Sequence, residues 1–270
     1  LFQISIIKIK PKRSEDMIEK KPALTKVSEF HQKQKDFATH MRSLKTRLEG
    51  ITHFLPAKYK TSQYEEERGN LSELTKITED LITLIDIGSE EQASREIKLG
   101  KAADYLLSPR FKELFNRIGD FIFIQENVSN FIWTMAKDHD SPLILKEQIH
   151  PYQEEHMNSL LILPCQMIGR YILLIKDILK EEALPTKLAE AYKQALQVSE
   201  NAVMVINEKK KLQPIKNAII NMQKISSKEL KEKKLGKKQK AATESRIEAF
   251  NQAIEKLNQI EDFPVPNSEI

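Results

Sequence analysis

Glycine is scarce in this chain, with seven in 270 residues. Phosphate-cradling loops, dinucleotide-binding turns and tight hairpins all use glycine where φ turns positive or a backbone must come close, so a strand-rich or nucleotide-binding fold is disfavoured. Cysteine is nearly missing too: Cys165 stands alone, which excludes an intramolecular disulfide and a paired-cysteine metal site and suits a reducing compartment. No uninterrupted apolar run approaches the ~20 residues of a membrane span. The opening LFQISIIKIK has no Met and too short an apolar centre for a secretory signal, and reads as a boundary inside a longer protein.

What is present fits a folded helical chain. Apolar residues make up 40% and charged residues 30% of the sequence. The net charge is a mild +4, concentrated in a Lys-rich segment from Lys209 to Lys240. Such a run is ordinarily a solvated helix face; weak contact with an anionic membrane is the other reading, and nucleic acid is not expected as a partner. The eleven Pro sit mostly between periodic stretches, as helix punctuation. The fold class expected is all-α.

Periodicity divides the chain. Residues 1–23 read as a poorly ordered lead-in. A first helix starts at Thr25 as N-cap, carries Val27, Phe30, Phe37, Met41, Leu44, Leu48 and Ile51 on one face, and stops before Pro56. A polar loop over 58–70 precedes a helix from Leu71 to Ile87 closed by Gly88, and a further helix runs from Glu90 to Leu107. Ser108-Pro109 then opens a long aromatic-rich helix, with Ser as cap and Pro at the first helical position, running on past Phe131 and Trp133 at the expected core centre. A connector spans 137–151, an apolar helix Met157 to Lys180, and a loop at Pro185. Separate helices over 186–211 and 215–225 and a last one over 241–260 complete the reading, with an irregular end.

Residues 160–180, LLILPCQMIGRYILLIKDILK, are the most informative stretch. Ser159, Gln166, Arg170 and Asp177 fall seven, four and seven apart, a polar stripe on an otherwise apolar helix, and Pro164 should kink it or free one backbone bond. Spacing alone fits an amphipathic helix with a narrow solvated side.

The order of residues adds more. Ile162, Pro164, Gln166, Ile168, Arg170, Tyr171, Leu173, Leu174 and Lys176 follow the pattern of the third conserved region of the Dbl-homology domain. Leu163, Cys165, Met167 and Gly169 stand where that family has Lys, Val, Arg and often Pro. The segment Lys26-Val27-Ser28-Glu29-Phe30 leading to Phe37 and Met41 resembles the family's opening helix, and Asn207 lies 37 residues beyond Arg170, near the family's late Asn. The resemblance spans about 24–212, with 213–270 as a Lys-rich helical extension in place of the pleckstrin-homology domain that usually follows.

The resemblance implies an elongated helical bundle. It implies a guanine-nucleotide exchange factor for a Rho-family small GTPase of Rho, Rac or Cdc42 type, acting without bond chemistry, cofactor or metal. By the same resemblance Glu29 meets the first switch of the GTPase, and Gln166, Arg170 and Asn207 meet the second switch and its surroundings. The departures at Leu163 and Met167 imply two charges lost near the docking surface, which keeps open a Dbl-like module that binds without exchange. A coiled-coil or membrane-surface protein is a further alternative, using the first and last helices and the Lys run. A cytoplasmic location is expected. The Lys, Ile and Asn bias would suit a bacterial effector acting in host cytoplasm. His150 and His156, six apart around Glu154 and Glu155, lack metal-site spacing, and Cys165 reads as a small buried hydrophobe.

Overall fold

The computed structural model describes residues 25–85, 94–150, 156–181, 184–232 and 236–261. They form α1 (Lys26–His53), α2 (Glu65–Leu84), α3 (Arg95–Leu107), α4 (Pro109–Lys137), α5 (Leu143–Ile149), α6 (Met157–Glu181), α7 (Thr186–Glu232) and α8 (Lys237–Glu261), with 3-10 turns at 57–60 and 62–64. There is no strand among the described residues. The expected lead-in over 1–23, the Gly88 stop and the end from 263 onward lie outside them.

Local chemistry starts the helices. Thr25, Ser94 and Ser108 each accept a hydrogen bond from the backbone N–H three residues on, at 3.4, 3.4 and 3.2 Å, and Pro109 occupies the first turn of α4. The polar loop expected over 58–70 is partly helix. Two 3-10 turns carry the chain to α2, whose first turn is Glu65, Glu66 and Glu67, where carboxylates complement the helix dipole. The connector before Pro151 contains the short helix α5, which buries Leu145 and Ile149.

The largest correction concerns Pro214. It does not separate two helices: α7 runs through it for 47 residues, about 70 Å at 1.5 Å per residue. A proline removes one backbone donor, and flanking turns on both sides hold the helix across the gap.

α6 lies at the centre, packed against α1, α4 and α7, while α2 lies along α1 and α4, and α3 bridges α1 and α7. Tyr171 of α6 is fully buried among Phe30 of α1 and Phe111 and Phe115 of α4, at ring-centroid distances of 5.9, 5.2 and 6.0 Å. α3 is pinned by the Tyr192 hydroxyl, which donates to the Leu99 carbonyl at 2.9 Å. At the far end the Tyr59 hydroxyl donates to Asp138 at 2.7 Å, Lys58 pairs with the same carboxylate, and Tyr59 packs edge-on against Phe131. α8 folds back along the distal half of α7, with Gln223 bonded to Asn251 at 2.5 Å.

Trp133 is not core. It is half-buried, with its indole N–H donating to Asn158 at 3.0 Å and its ring 4.9 Å from that of His150, because its position on α4 falls at the edge of the apolar stripe. α6 is long and apolar enough in composition to cross a membrane, yet most of its apolar side chains are covered by α1, α4 and α7, the arrangement of a central helix in a bundle.

Candidate functional site

The polar stripe of α6 faces outward. Gln166 and Arg170 are exposed, and the guanidinium donates to the Gln166 side-chain oxygen at 3.3 Å. Two apolar side chains continue the stripe: Ile162, four residues before Gln166, is 47% exposed and Leu173, three after Arg170, is 61% exposed.

α6 and α7 run antiparallel, and side-chain contacts set their register. Lys176 pairs with Glu200 at 2.8 Å, so paired residue numbers add to about 376. Arg170 is therefore level with Asn207, and Gln166 with Lys210 and Lys211. Asn207 and Lys211 are exposed. The same register sets Leu173 beside Met204, which is 64% exposed, and Ile162 beside Ile215, which is 52% exposed. Two exposed stripes thus lie side by side, polar in the middle and apolar at both ends.

Glu29 borders this patch from the other side of α6. Phe30 against Tyr171 and the Lys26–Asp177 approach at 4.0 Å make α1 and α6 antiparallel as well, which puts Glu29 level with Leu173. The Glu29 side chain is 37% exposed and is held by Lys26 at 3.2 Å. A partly exposed i,i+3 pair of this kind adds little stability, and a competing cation can displace it at small cost. The structure thus brings Gln166, Arg170 and Asn207 onto one surface and sets Glu29 at its edge.

The departures at Leu163 and Met167 do not remove charge from that surface. Leu163 is 8% and Met167 1% exposed: Met167 turns inward one helical turn before Tyr171, and Leu163, although seven residues before Arg170 and so near its line on the helix, is buried as well. Apolar residues there serve packing. Cys165 is half-buried rather than buried, and burial raises its thiol pKa. His150 and His156 approach with their Nδ1 atoms 3.3 Å apart, and no cluster of three or more metal-ligating side chains occurs among the described residues. The exposed Leu173, Met204, Lys211 and Ile215 were missed as site residues in the sequence. The steps of three and four from Arg170 and Asn207 were the signal that could have found them.

The family model of the RhoGEF domain matches residues 37–207, well over half of the chain. The chain belongs to the RhoGEF domain family. Gln166, Arg170 and Asn207 fall inside the matched RhoGEF region, and Glu29 lies eight residues ahead of it. A solved structure of the Vav1 exchange factor, described for the critical structural role of its PH and C1 domains, is similar to the RhoGEF chain with a TM-score of 0.49 and 16% identity. The match covers 78% of this chain and 54% of that one, so the chain spans about half the length of that relative. No curated protein matches it.

Proposed function

We propose that this RhoGEF domain accelerates nucleotide release from a Rho-family small GTPase of Rho, Rac or Cdc42 type, through the surface shared by α1, α6 and α7. The observation that carries the reading is the juxtaposition of exposed Arg170 and Asn207 at one level of neighbouring helices, bracketed by exposed apolar pairs.

Exchange needs no nucleophile. A GTPase holds its nucleotide with switch loops, a phosphate loop and Mg²⁺. A surface that binds the nucleotide-free arrangement more tightly than the loaded one must, by linkage, weaken nucleotide binding by the same factor. Apolar contact at Leu173, Met204, Ile162 and Ile215 supplies affinity that does not depend on the nucleotide. Arg170, Gln166 and Asn207 supply directed hydrogen bonds that favour one arrangement of the second switch. Glu29 gives up its half-buried Lys26 partner to engage the first. The burial of Leu163 and Met167 supports exchange over a binding-only module, since the exposed polar set is intact despite those departures. The Lys-rich segment from Lys209 to Lys240 supports a weak secondary contact with anionic lipid, read out by co-sedimentation with phosphatidylserine vesicles.

The test is release of a fluorescent GDP analogue from purified Rho-, Rac- and Cdc42-type GTPases with and without the chain at micromolar concentration. Acceleration of at least one supports the reading. Tight binding to a nucleotide-free GTPase with no acceleration of any would replace exchange by a binding role.

A further inference from the structure

α7 does not end where the family match ends. It continues from Asn207 to Glu232 as one helix, and its outward face carries large apolar side chains with Lys211 and Glu229 in the same arc: Ile215, Met222 and Ile225 are 52, 53 and 61% exposed. At 100° per residue, Met204, Asn207, Ile215, Met222 and Ile225 fall within an arc of about 80°. The face that carries Asn207 in the site is thus the face that carries the distal apolar residues.

α8 does not cover this face. It meets α7 through a different side, where Gln223 bonds Asn251 and Ser226 and Thr243 are buried. The stripe stays open with the hairpin closed. Large apolar side chains left in water on one continuous face mark a docking surface.

We infer that this distal stripe of α7 is a second contact for the same GTPase that occupies the Arg170–Asn207 surface. The inference rests on the exchange reading above and deepens it: the helical extension would widen the GTPase interface. Three observations choose this occupant. The stripe is continuous with the site, through Ile215, which is already level with Ile162 of α6. It is within reach: Asn207 to Ile225 spans about 27 Å along the helix, while a globular partner of about 180 residues is roughly 40 Å across. Its placement suits the same partner, since distal α7 lies alongside the body, with Lys224 approaching Glu66 of α2 at 3.1 Å. The charge around it defines the partner face. Residues 207–232 carry seven Lys against three Glu, so the complementary surface is an apolar patch with an acidic rim.

The experiment uses the full chain with nucleotide-free Rho-, Rac- and Cdc42-type GTPases, each in turn. The double variant Met222→Asp, Ile225→Asp sits on exposed positions, and circular dichroism checks that it folds. It should weaken Kd for the nucleotide-free GTPase by roughly tenfold or more, the loss typical of an interface anchor. A photo-reactive phenylalanine at position 222, which adds no charge, should cross-link to the GTPase. Arg170→Ala, assayed by nucleotide release, tests the exchange reading separately. Unchanged Kd in the double variant, with exchange still abolished by Arg170→Ala, overturns the inference and leaves the exchange reading standing. Cross-linking only to a second copy of the chain, or only within it, overturns the inference in favour of that occupant. If the unaltered chain neither binds nor accelerates any GTPase, both readings fall.

Discussion

Between Val27 and Ile206 the helices enclose one continuous apolar core; in the hairpin beyond it, residues 207–232 and 237–256, the only described side chains that are buried are Ser226 and Thr243. Most of the described residues of both regions are helical, yet the two are stabilised differently. In the body each helix turns one apolar stripe toward its neighbours, and aromatic rings interlock at the centre. In the hairpin the apolar residues of α7 are split between two faces. Leu212, Ile219 and Leu230 are half-buried, while Ile215, Met222 and Ile225 point to solvent. One partner helix cannot cover both faces. The body keeps its shape by burial, and the hairpin trades burial for surface.

The largest effect should come from the body's centre. Phe111→Ala removes a fully buried ring in edge contact with Tyr105, Phe115 and Tyr171, and should cost about 3–5 kcal/mol in a denaturant titration. The matching change in the hairpin, Phe250→Ala, removes a half-buried ring and should cost about 1 kcal/mol. Equal losses at the two sites would break the contrast. Amide hydrogen exchange sharpens it: α8 should exchange before α1 and α6, because local opening there exposes little apolar surface.

A polar clasp at the far end of the body gives a smaller, pH-dependent effect. The Lys58 and Tyr59 hydrogen bonds lower the Asp138 carboxyl to about 2. The unfolded carboxyl titrates near ~3.9, so this contribution is fully present above ~4 and is lost as pH falls through the folded value. Asp138→Asn should flatten that part of the acid limb in a stability-versus-pH series. The smallest effect is at Tyr171, whose buried hydroxyl has no hydrogen-bond partner among the described residues. Tyr171→Phe should leave the melting temperature nearly unchanged or slightly raised, since it removes an unsatisfied polar group and keeps the ring.

The body was legible in the sequence because it obeys one period. Thr25 and Ser108-Pro109 announce their helices, and steps of three and four name the buried face of α1 almost residue for residue. The same spacing, carried further, places Met167 one turn before buried Tyr171, but it sets Leu163 seven residues before Arg170, so the burial of Leu163 comes from packing that spacing does not show. Both residues were read by their place in the family pattern, which says nothing of direction. The hairpin was harder to read. Pro214 looks like a stop because a lone helix loses a bond and gains a clash there, but in α7 the neighbouring turns persist through it. The first turns of α2 were hidden by their glutamates, which resemble loop and are favoured at a helix start. Gln166 and Arg170 came from the order of letters in α6, Glu29 from the opening helix and Asn207 from its distance beyond Arg170 in the family pattern. What spacing alone could not supply was the register between α6 and α7, since that is set by Lys176–Glu200 and by packing between helices far apart in sequence.

The most direct test of the account separates surface from core on one helix. Arg170 and Tyr171 are neighbours in sequence, one exposed and one fully buried. Nucleotide release and thermal unfolding should be measured together on Arg170→Ala. Release should fall to the spontaneous rate of the GTPase while the melting temperature stays within about 2 °C of the unaltered chain. Retained exchange, or lost exchange accompanied by a collapse in melting temperature, would contradict the assignment of the α6 stripe as the exchange surface.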